Sequence, residues 1–354
     1  MDKIENIAVI IPAYNPDNKM ISFIEELKDS FSDIIVVNDG CGEEYSAIFN
    51  AVKEYSTVLV HPENKGKGAA LKTAFEYVCQ NTKKLQAVVT ADADGQHTLS
   101  DVRACCRKFL DNPKQAVFGC RDFYSDVNIP ERSKFGNRLT SRLLKFFCDI
   151  SLSDTQTGLR VLPVSCLDEL IKVKGDRYEY EMNMIFALSD LDVGWTEQSI
   201  SVIYLDDNKS SHFNPIKDSI KIYRVFLKFC ISSFGSSLID LIIFTILCSV
   251  LRNVSPVLKI IDGVVMATVI ARICSGIFNF SINRLIFRKK KTASLSKSGP
   301  KYLVVWLIQM LLSAFIVSGI SLLLHGGYEL LIKIVVDTIL FFISFRVQQK
   351  WVFR

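Results

Sequence analysis

Up to about residue 210 the chain alternates short, unbroken apolar runs with longer stretches whose apolar positions recur every three or four residues. The runs are IAVII, DIIVV, TVLVH, LQAVVTA and QAVFGC; between them lie DNKMISFIEELKDS, EEYSAIFNAVKEY, GKGAALKTAFEYVCQ and LSDVRACCRKFL. Unbroken β-branched runs predict strands buried on both faces, and the intervening periodicity predicts amphipathic helices that cover them. The expected fold class is α/β, with a mostly parallel sheet covered on both faces.

After about residue 210 the pattern changes. The stretch NPIKDSIKIYRVFLKF (214–229) places Lys217, Lys221, Arg224 and Lys228 on one narrow helical stripe of a mostly apolar perimeter, which suits a helix lying at a headgroup interface. Four long apolar segments follow, at roughly 231–251, 264–287, 302–324 and 331–347. Each is near the ~20 residues that span hydrocarbon. The expected organisation is a soluble domain over 1–213, an interfacial amphipathic helix over 214–230, and an all-α four-helix transmembrane domain over 231–354.

Composition changes this picture little. A chain of 354 residues exceeds what one core fills, and the averages of 49% hydrophobic residues and +0.25 mean hydropathy conceal the split. Net charge is only +5, so its location matters more than its size. The strongest basic cluster, Arg288 to Lys291 with Lys297 and Lys301, separates the second and third apolar segments. By the positive-inside rule that loop is cytoplasmic, and the soluble domain and Arg354 with it. No nucleic-acid partner is expected; a homo-oligomer is compatible. Ten cysteines without a CxxC pair imply reduced thiols rather than a zinc site or disulfide framework. The apolar run that stops at Pro12 is too short for a signal peptide.

Ligands of parallel sheets bind outside the carboxyl ends of the strands. The sequences there are PAYN, NDG, NKGKG, DADGQH and GCRD. No GxGxxG or P-loop is among them. Asp39 can accept from a base N–H, Tyr14 offers a ring and Pro12 a rigid wall. Lys67 lies in a glycine-framed loop whose amides can approach a phosphate. Asp92 and Asp94 can hold Mg²⁺ or Mn²⁺ through hard oxygens, with the Gln96 carbonyl adding another. An isolated DxD is more plainly a solvated turn; five polar loops on one sheet edge favour a site. His97 is read as standing behind the ligands.

PAYN, Asp39-Gly40, NKGKGAA, DADGQH, GCR and DTQTGLR follow the order seen in family-2 glycosyltransferases of the GT-A fold. Over roughly residues 6–230 the chain resembles their polyprenyl-phosphate branch, which includes dolichyl-phosphate mannose and glucose synthases. The resemblance implies a nucleotide-binding set of Pro12, Ala13, Tyr14, Asn15, Asp39, Lys67, Asp92 and Ala93. It implies metal binding by Asp92, Asp94 and Gln96, and catalytic roles for Asp94 and for Arg121 on the phosphates. Two departures are visible: Pro16 stands where the family often has Glu, with Asp17 next to it, and DDNKSSHF offers Asp206 and His212 where mannose synthases carry an Arg…Ser-Lys loop. Arg121, Arg132, Ser133, Arg160 and His212 are candidates for the acceptor phosphate. Arg160 is equally read as a strut for the DTQTG turn, and Glu181 either contacts the sugar or is a surface carboxylate.

An alcohol acceptor needs a general base, whereas a phosphate monoester is already ionised at pH 7. The implied activity is transfer, with inversion, of a hexose from a UDP- or GDP-sugar to polyprenyl phosphate at the cytoplasmic membrane face. The alternatives are a transferase half without catalysis in a transporter of lipid-linked sugar, or transfer onto a lipid-linked oligosaccharide. The membrane half repeats NRLIFR (283–288) as QKWVFR (349–354) and is similar to the GtrA-like domain. QQKW has the wrong spacing for the QxxRW motif of processive synthases. Asp240, Asp262, Arg272, Asn279 and Asp337 are polar groups in or near the spans; such groups line a pathway or join helices.

Overall fold

A computed structural model describes residues 3–81, 84–122, 131–201, 215–254, 260–286, 294–323 and 329–353. The chain packs as two units, Met1–Lys145 with Ile150–Ser219, and Phe146–Asp149 with Ile220–Arg354.

In the first unit the five apolar runs become β1 (Ile7–Ala13), β2 (Ile34–Asn38), β3 (Thr57–Val60), β4 (Ala87–Thr90) and β5 (Ala116–Arg121). Between them lie α1 (Asn18–Lys28), α2 (Ser46–Val52), α3 (Lys67–Asn81) and α4 (Leu99–Asp111). Asp17 caps α1 by accepting from Lys19 N, and Thr98 caps α4 by accepting from Asp101 N. After α5 (Glu131–Leu143) come β6 (Arg160–Pro163), the short α6 (Leu167–Ile171), α7 (Glu179–Asp190) and β7 (Trp195–Ile200).

The sheet has seven strands in the order β3-β2-β1-β4-β6-β5-β7. Strands β3, β2, β1 and β4 run parallel, as do β5 and β7, while β6 is antiparallel to both β4 and β5. It is therefore a mixed sheet rather than a uniformly parallel one, and β6 and β7 lie outside the runs legible in the sequence. Residues Ile7 to Ile11 are wholly buried, as a central strand covered on both faces requires. The carboxyl ends of β1, β2 and β4 share one edge.

The second unit contains α8 (Pro215–Val254), α9 (Ile260–Ile286), α10 (Leu295–Leu323) and α11 (Glu329–Val347). The segment expected as a separate interfacial helix is continuous with the first long apolar segment: α8 runs unbroken for 40 residues, because no proline interrupts it after Pro215. At 1.5 Å per residue it is about 60 Å long. Among the described residues one stretch, Leu227–Leu247, is long and apolar enough to cross a membrane by length and composition. Asn283 Nδ2 donates to Asn279 Oδ1 and Gln348 Oε1, and Gln348 Nε2 to Ser344 Oγ, so amides tie α9 to the end of α11. The turn Phe146–Asp149 is held in this unit: Arg346 donates to Phe146 O, Gln349 to Phe147 O, and Lys350 Nζ lies 3.0 Å from Asp149. Phe146 and Phe147 both pack on Phe345. The basic loop Arg288 to Lys291, His212, Asp206, Asp262 and Arg354 lie outside the described residues or side chains.

Candidate active site

A cleft of about 670 Å³ opens at the shared carboxyl edge. The β1 end supplies Pro12, Ala13, Tyr14 and Asn15; Asp39 follows β2; Lys67 opens α3; Asp92, Ala93 and Asp94 follow β4. The structure thus brings the whole expected nucleotide set into one cleft. Tyr14 is 55% exposed, so its ring is free to stack. Asn15 sits at φ +50°, its N–H donating to Cys41 Sγ at 3.2 Å. Asp17, the residue beside Pro16, also lines the cleft while its carboxylate caps α1.

Asp39 is buried and heavily engaged. It accepts from His61 Nδ1 at 2.7 Å, Lys65 N at 3.0 Å and Gly66 N at 2.8 Å. An ionised carboxylate offers about four acceptor sites, so about one remains for a ligand. This corrects the reading of NKGKG: the Lys65 and Gly66 amides hold Asp39 rather than a phosphate. Gly68 has a packing role. A Cβ there would meet Tyr180 Cβ at 2.5 Å, so only glycine lets the segment leading into α7 lie against the start of α3. That segment brings Arg177 and Tyr178 to the cleft wall and Glu181 to Lys67.

Lys67 Nζ lies 2.7 Å from Asp92 Oδ1 and 3.1 Å from Glu181 Oε1. Burial alone would lower the Lys67 ammonium, but the two carboxylates outweigh it and hold it above its ordinary range. For Asp92, burial would push the carboxyl up, yet Lys67 and then His97 keep it well below the usual carboxylate range. Asp94 behaves oppositely: burial and the Asp92 charge raise it, against the backbone hydrogen bond from Gln96 N at 3.0 Å. His97 is buried, with both ring nitrogens lacking a hydrogen-bond partner and Nε2 3.7 Å from Asp92 Oδ2. Among the described residues no group of three or more His, Cys, Asp or Glu side chains converges on one point. Two carboxylates that repel at the wall of a cleft, with the buried His97 ring behind them, nonetheless fit a hard cation that takes its other oxygens from a diphosphate.

The arginines depart from expectation. Arg121 does not line the cleft; its Nε and Nη2 bind Asp154 at 2.7 and 3.2 Å. Asp154 is wholly buried, and such a carboxylate requires a cation. Arg160 is 1% exposed and is the strut of the DTQTG turn: Nε donates to Thr157 O and Nη1 to Glu181 O. Arg132 and Ser133 fall in the first turn of α5, with side chains outside the described set, and His212 lies outside the described residues. Sequence reading missed Arg177, Tyr178, Asn64 and the His61 partner of Asp39. The charged, aromatic run GDRYEYE was the available signal for the first two.

Residues 8–171 match the Glycosyl transferase family 2 domain, and residues 228–353 match the GtrA/DPMS transmembrane domain. The chain thus joins a family-2 glycosyltransferase domain to a GtrA/DPMS transmembrane domain. Its mixed sheet is the Rossmann-like GT-A arrangement of that transferase family, and the second unit makes it a membrane protein. Among relatives, an uncharacterised protein of Methanocaldococcus jannaschii is 28% identical over 228 residues, 63% of this chain and 92% of that one. A UDP-N-acetylglucosamine–dolichyl-phosphate N-acetylglucosaminyltransferase of Methanococcus voltae is 27% identical, over 62% of this chain and 95% of its own. Among solved structures, glucosyl-3-phosphoglycerate synthase of Mycobacterium tuberculosis with Mn²⁺, UDP and phosphoglyceric acid is 16% identical. It covers 64% of this chain and 78% of its own, with a TM-score of 0.46.

Proposed function

We propose that this glycosyltransferase moves a hexose from a nucleoside-diphosphate sugar, UDP- or GDP-linked, to polyprenyl phosphate at the cytoplasmic membrane face. The observation that carries the reading is the cleft in which PAYN, Asp39, Lys67 and the Asp92–Asp94 pair meet. The family-2 and GtrA/DPMS matches support it, as does the Methanococcus voltae relative named for a dolichyl-phosphate acceptor.

Tyr14 stacks on the base and the last acceptor site of Asp39 takes a base N–H. Asp92 and Asp94, with Gln96, would hold Mg²⁺ or Mn²⁺, which when bound supplies charge neutralisation for the departing diphosphate. Lys67 and Arg177 add positive charge along the cleft wall. The acceptor phosphate, already ionised, attacks the anomeric carbon as the bond to the nucleoside diphosphate breaks, with inversion. No residue needs to remove a proton, so the protein's work is positioning and charge. Arg132, Ser133 and His212 remain proposed on the acceptor side. The four long helices cross the membrane with the Arg288–Lys291 loop facing the cytoplasm.

The test is the full chain in liposomes with polyprenyl phosphate and a panel of labelled UDP- and GDP-sugars. Expected is metal-dependent formation of one lipid-phosphate sugar. Absence of transfer from every donor, in protein that still binds nucleotide, refutes the reading.

A further inference from the structure

Lys67 is shared. Its ammonium sits between Asp92 and Glu181, and all three side chains are largely shielded from water. Glu181 is mounted firmly: Arg160 Nη1 donates to its carbonyl at 2.8 Å, and Arg160 Nε to Thr157 O at 2.9 Å. Gly158, next along, abuts Asp92 so closely that a Cβ there would strike its carboxylate. One buried strut therefore supports both carboxylates that hold Lys67. An ammonium on Asp92 Oδ1 and a divalent cation on that carboxylate are competing occupants, because like charges so close repel.

We propose that Glu181 is a positioning residue that draws Lys67 away from Asp92 when a divalent cation binds, so that Lys67 competes with the cation and Glu181 sets the outcome. The inference rests on the metal-assisted reading of the cleft. Without the cation, Lys67 neutralises Asp92 and relieves its repulsion from Asp94. With Asp92 ceded, Lys67 stays with Glu181 at the cleft wall, where a diphosphate offers it a new partner. Nucleotide and cation binding are then linked, each favouring the other.

The experiment is Mn²⁺ titration of the full-length protein in detergent, followed by the electron paramagnetic resonance signal of free Mn²⁺. A charge within about 4–6 Å changes a carboxylate's proton affinity by about 10- to 1000-fold, and the same field acts on a metal. Lys67→Gln is therefore expected to tighten Mn²⁺ binding by about tenfold or more, although it removes a cleft residue. Glu181→Asp keeps the charge but withdraws the anchor by one methylene, and is expected to weaken Mn²⁺ binding. Glu181→Gln should weaken it too, yet have no effect once Lys67 is Gln.

A Lys67→Gln protein that binds Mn²⁺ no better than wild type overturns the proposal. So does Glu181→Asp at wild-type affinity, which decides the matter even if Lys67→Gln fails to fold. An equal effect of Glu181→Gln in both backgrounds would mean a simple through-space field and also overturns it. Wild-type protein that binds no Mn²⁺, alone or with UDP or GDP, refutes the metal reading itself, and the proposal with it.

Discussion

Replacing Asp39 separates its structural work from its proposed contact with the base. The carboxylate accepts from two backbone amides, Lys65 N and Gly66 N, and from His61 Nδ1, whose Nε2 lies 2.9 Å from Thr73 Oγ1. A carboxylate only accepts, so a proton sits on Nδ1, and in the neutral imidazole Nε2 accepts from Thr73 Oγ1. In Asp39→Ala the imidazole adapts by exchanging tautomers, but both amides lose their acceptor. At roughly 2 kcal/mol for each buried unpaired donor, the loss is about 4 kcal/mol, a large share of the ~5–15 kcal/mol typical of a domain. In Asp39→Asn the carbonyl replaces one carboxylate oxygen and the NH₂ the other, and Lys65 N and Gly66 N bond different oxygens. One amide N–H therefore keeps an acceptor while the other faces a donor, and the cost is about 2 kcal/mol. The assay is amide hydrogen exchange read at Lys65 and Gly66, with the melting temperature of the transferase unit alongside. Asp39→Ala should expose both amides, each exchanging about 30-fold faster at ~1.4 kcal/mol per tenfold, whereas Asp39→Asn should expose only one of the two. Unchanged protection of both amides in Asp39→Ala would show that the loop is held by something else. Equal acceleration of both in Asp39→Asn would refute the pairing of each amide with its own carboxylate oxygen.

Four further outcomes are expected. Asp94→Asn should weaken Mn²⁺ binding by at least the ~10–100-fold typical of outer-shell partners while leaving melting temperature near wild type; unchanged Mn²⁺ affinity counts against the metal assignment. Arg121→Ala strands the buried Asp154 and should destabilise the transferase unit by about 3–5 kcal/mol, measured by denaturant titration; a simple loss of phosphate affinity at wild-type stability would return Arg121 to the cleft. Gly158→Ala drives a methyl into Asp92 and should cost about 1–3 kcal/mol together with Mn²⁺ affinity, and normal calorimetric binding of Mn²⁺ would contradict the packing. Burial pushes Cys105, Cys120 and Cys166 up to about 12, so at pH 8 these thiols stay protonated as well as shielded. Iodoacetamide should label exposed Cys79 first, and equal labelling of Cys105 in folded protein would contradict the burial.

The first five strands were legible because each is an unbroken apolar run set off from the next by a helical stretch, and their polar ends announced the cleft. Strand β6 was not, since RVLP is four residues long and carries an arginine and a proline. Its burial depends on neighbours, Thr90 and Phe118 opposite Arg160, that are distant in sequence. Strand β7, WTEQSI, lacks an apolar run because only Ile200 is fully buried. The site was legible by residue type and much less by pairing. Nothing local to Asp39 indicates that its partners would be the amides of Lys65 and Gly66, and Arg121 and Arg160 look the same on paper as phosphate-binding arginines. Which cation a buried carboxylate demands is decided by the fold.

The turn Phe146–Asp149 has a consequence for how the gene can be cut. Because four residues inside the transferase half pack with the membrane half, the polypeptide passes between the two units three times, after Lys145, Asp149 and Ser219. A fragment ending near Ser219 would carry Phe146 and Phe147 without Phe345, Arg346 and Gln349, leaving two phenylalanines and their carbonyls bare. Such a truncated chain would be adhesive for reasons unrelated to its catalytic integrity. The same stitch bears on exchange over evolutionary time: the halves are not cassettes joined at one seam. A recombinant acquiring a different membrane half must also inherit, or re-select, four residues lying some seventy positions upstream of the main junction.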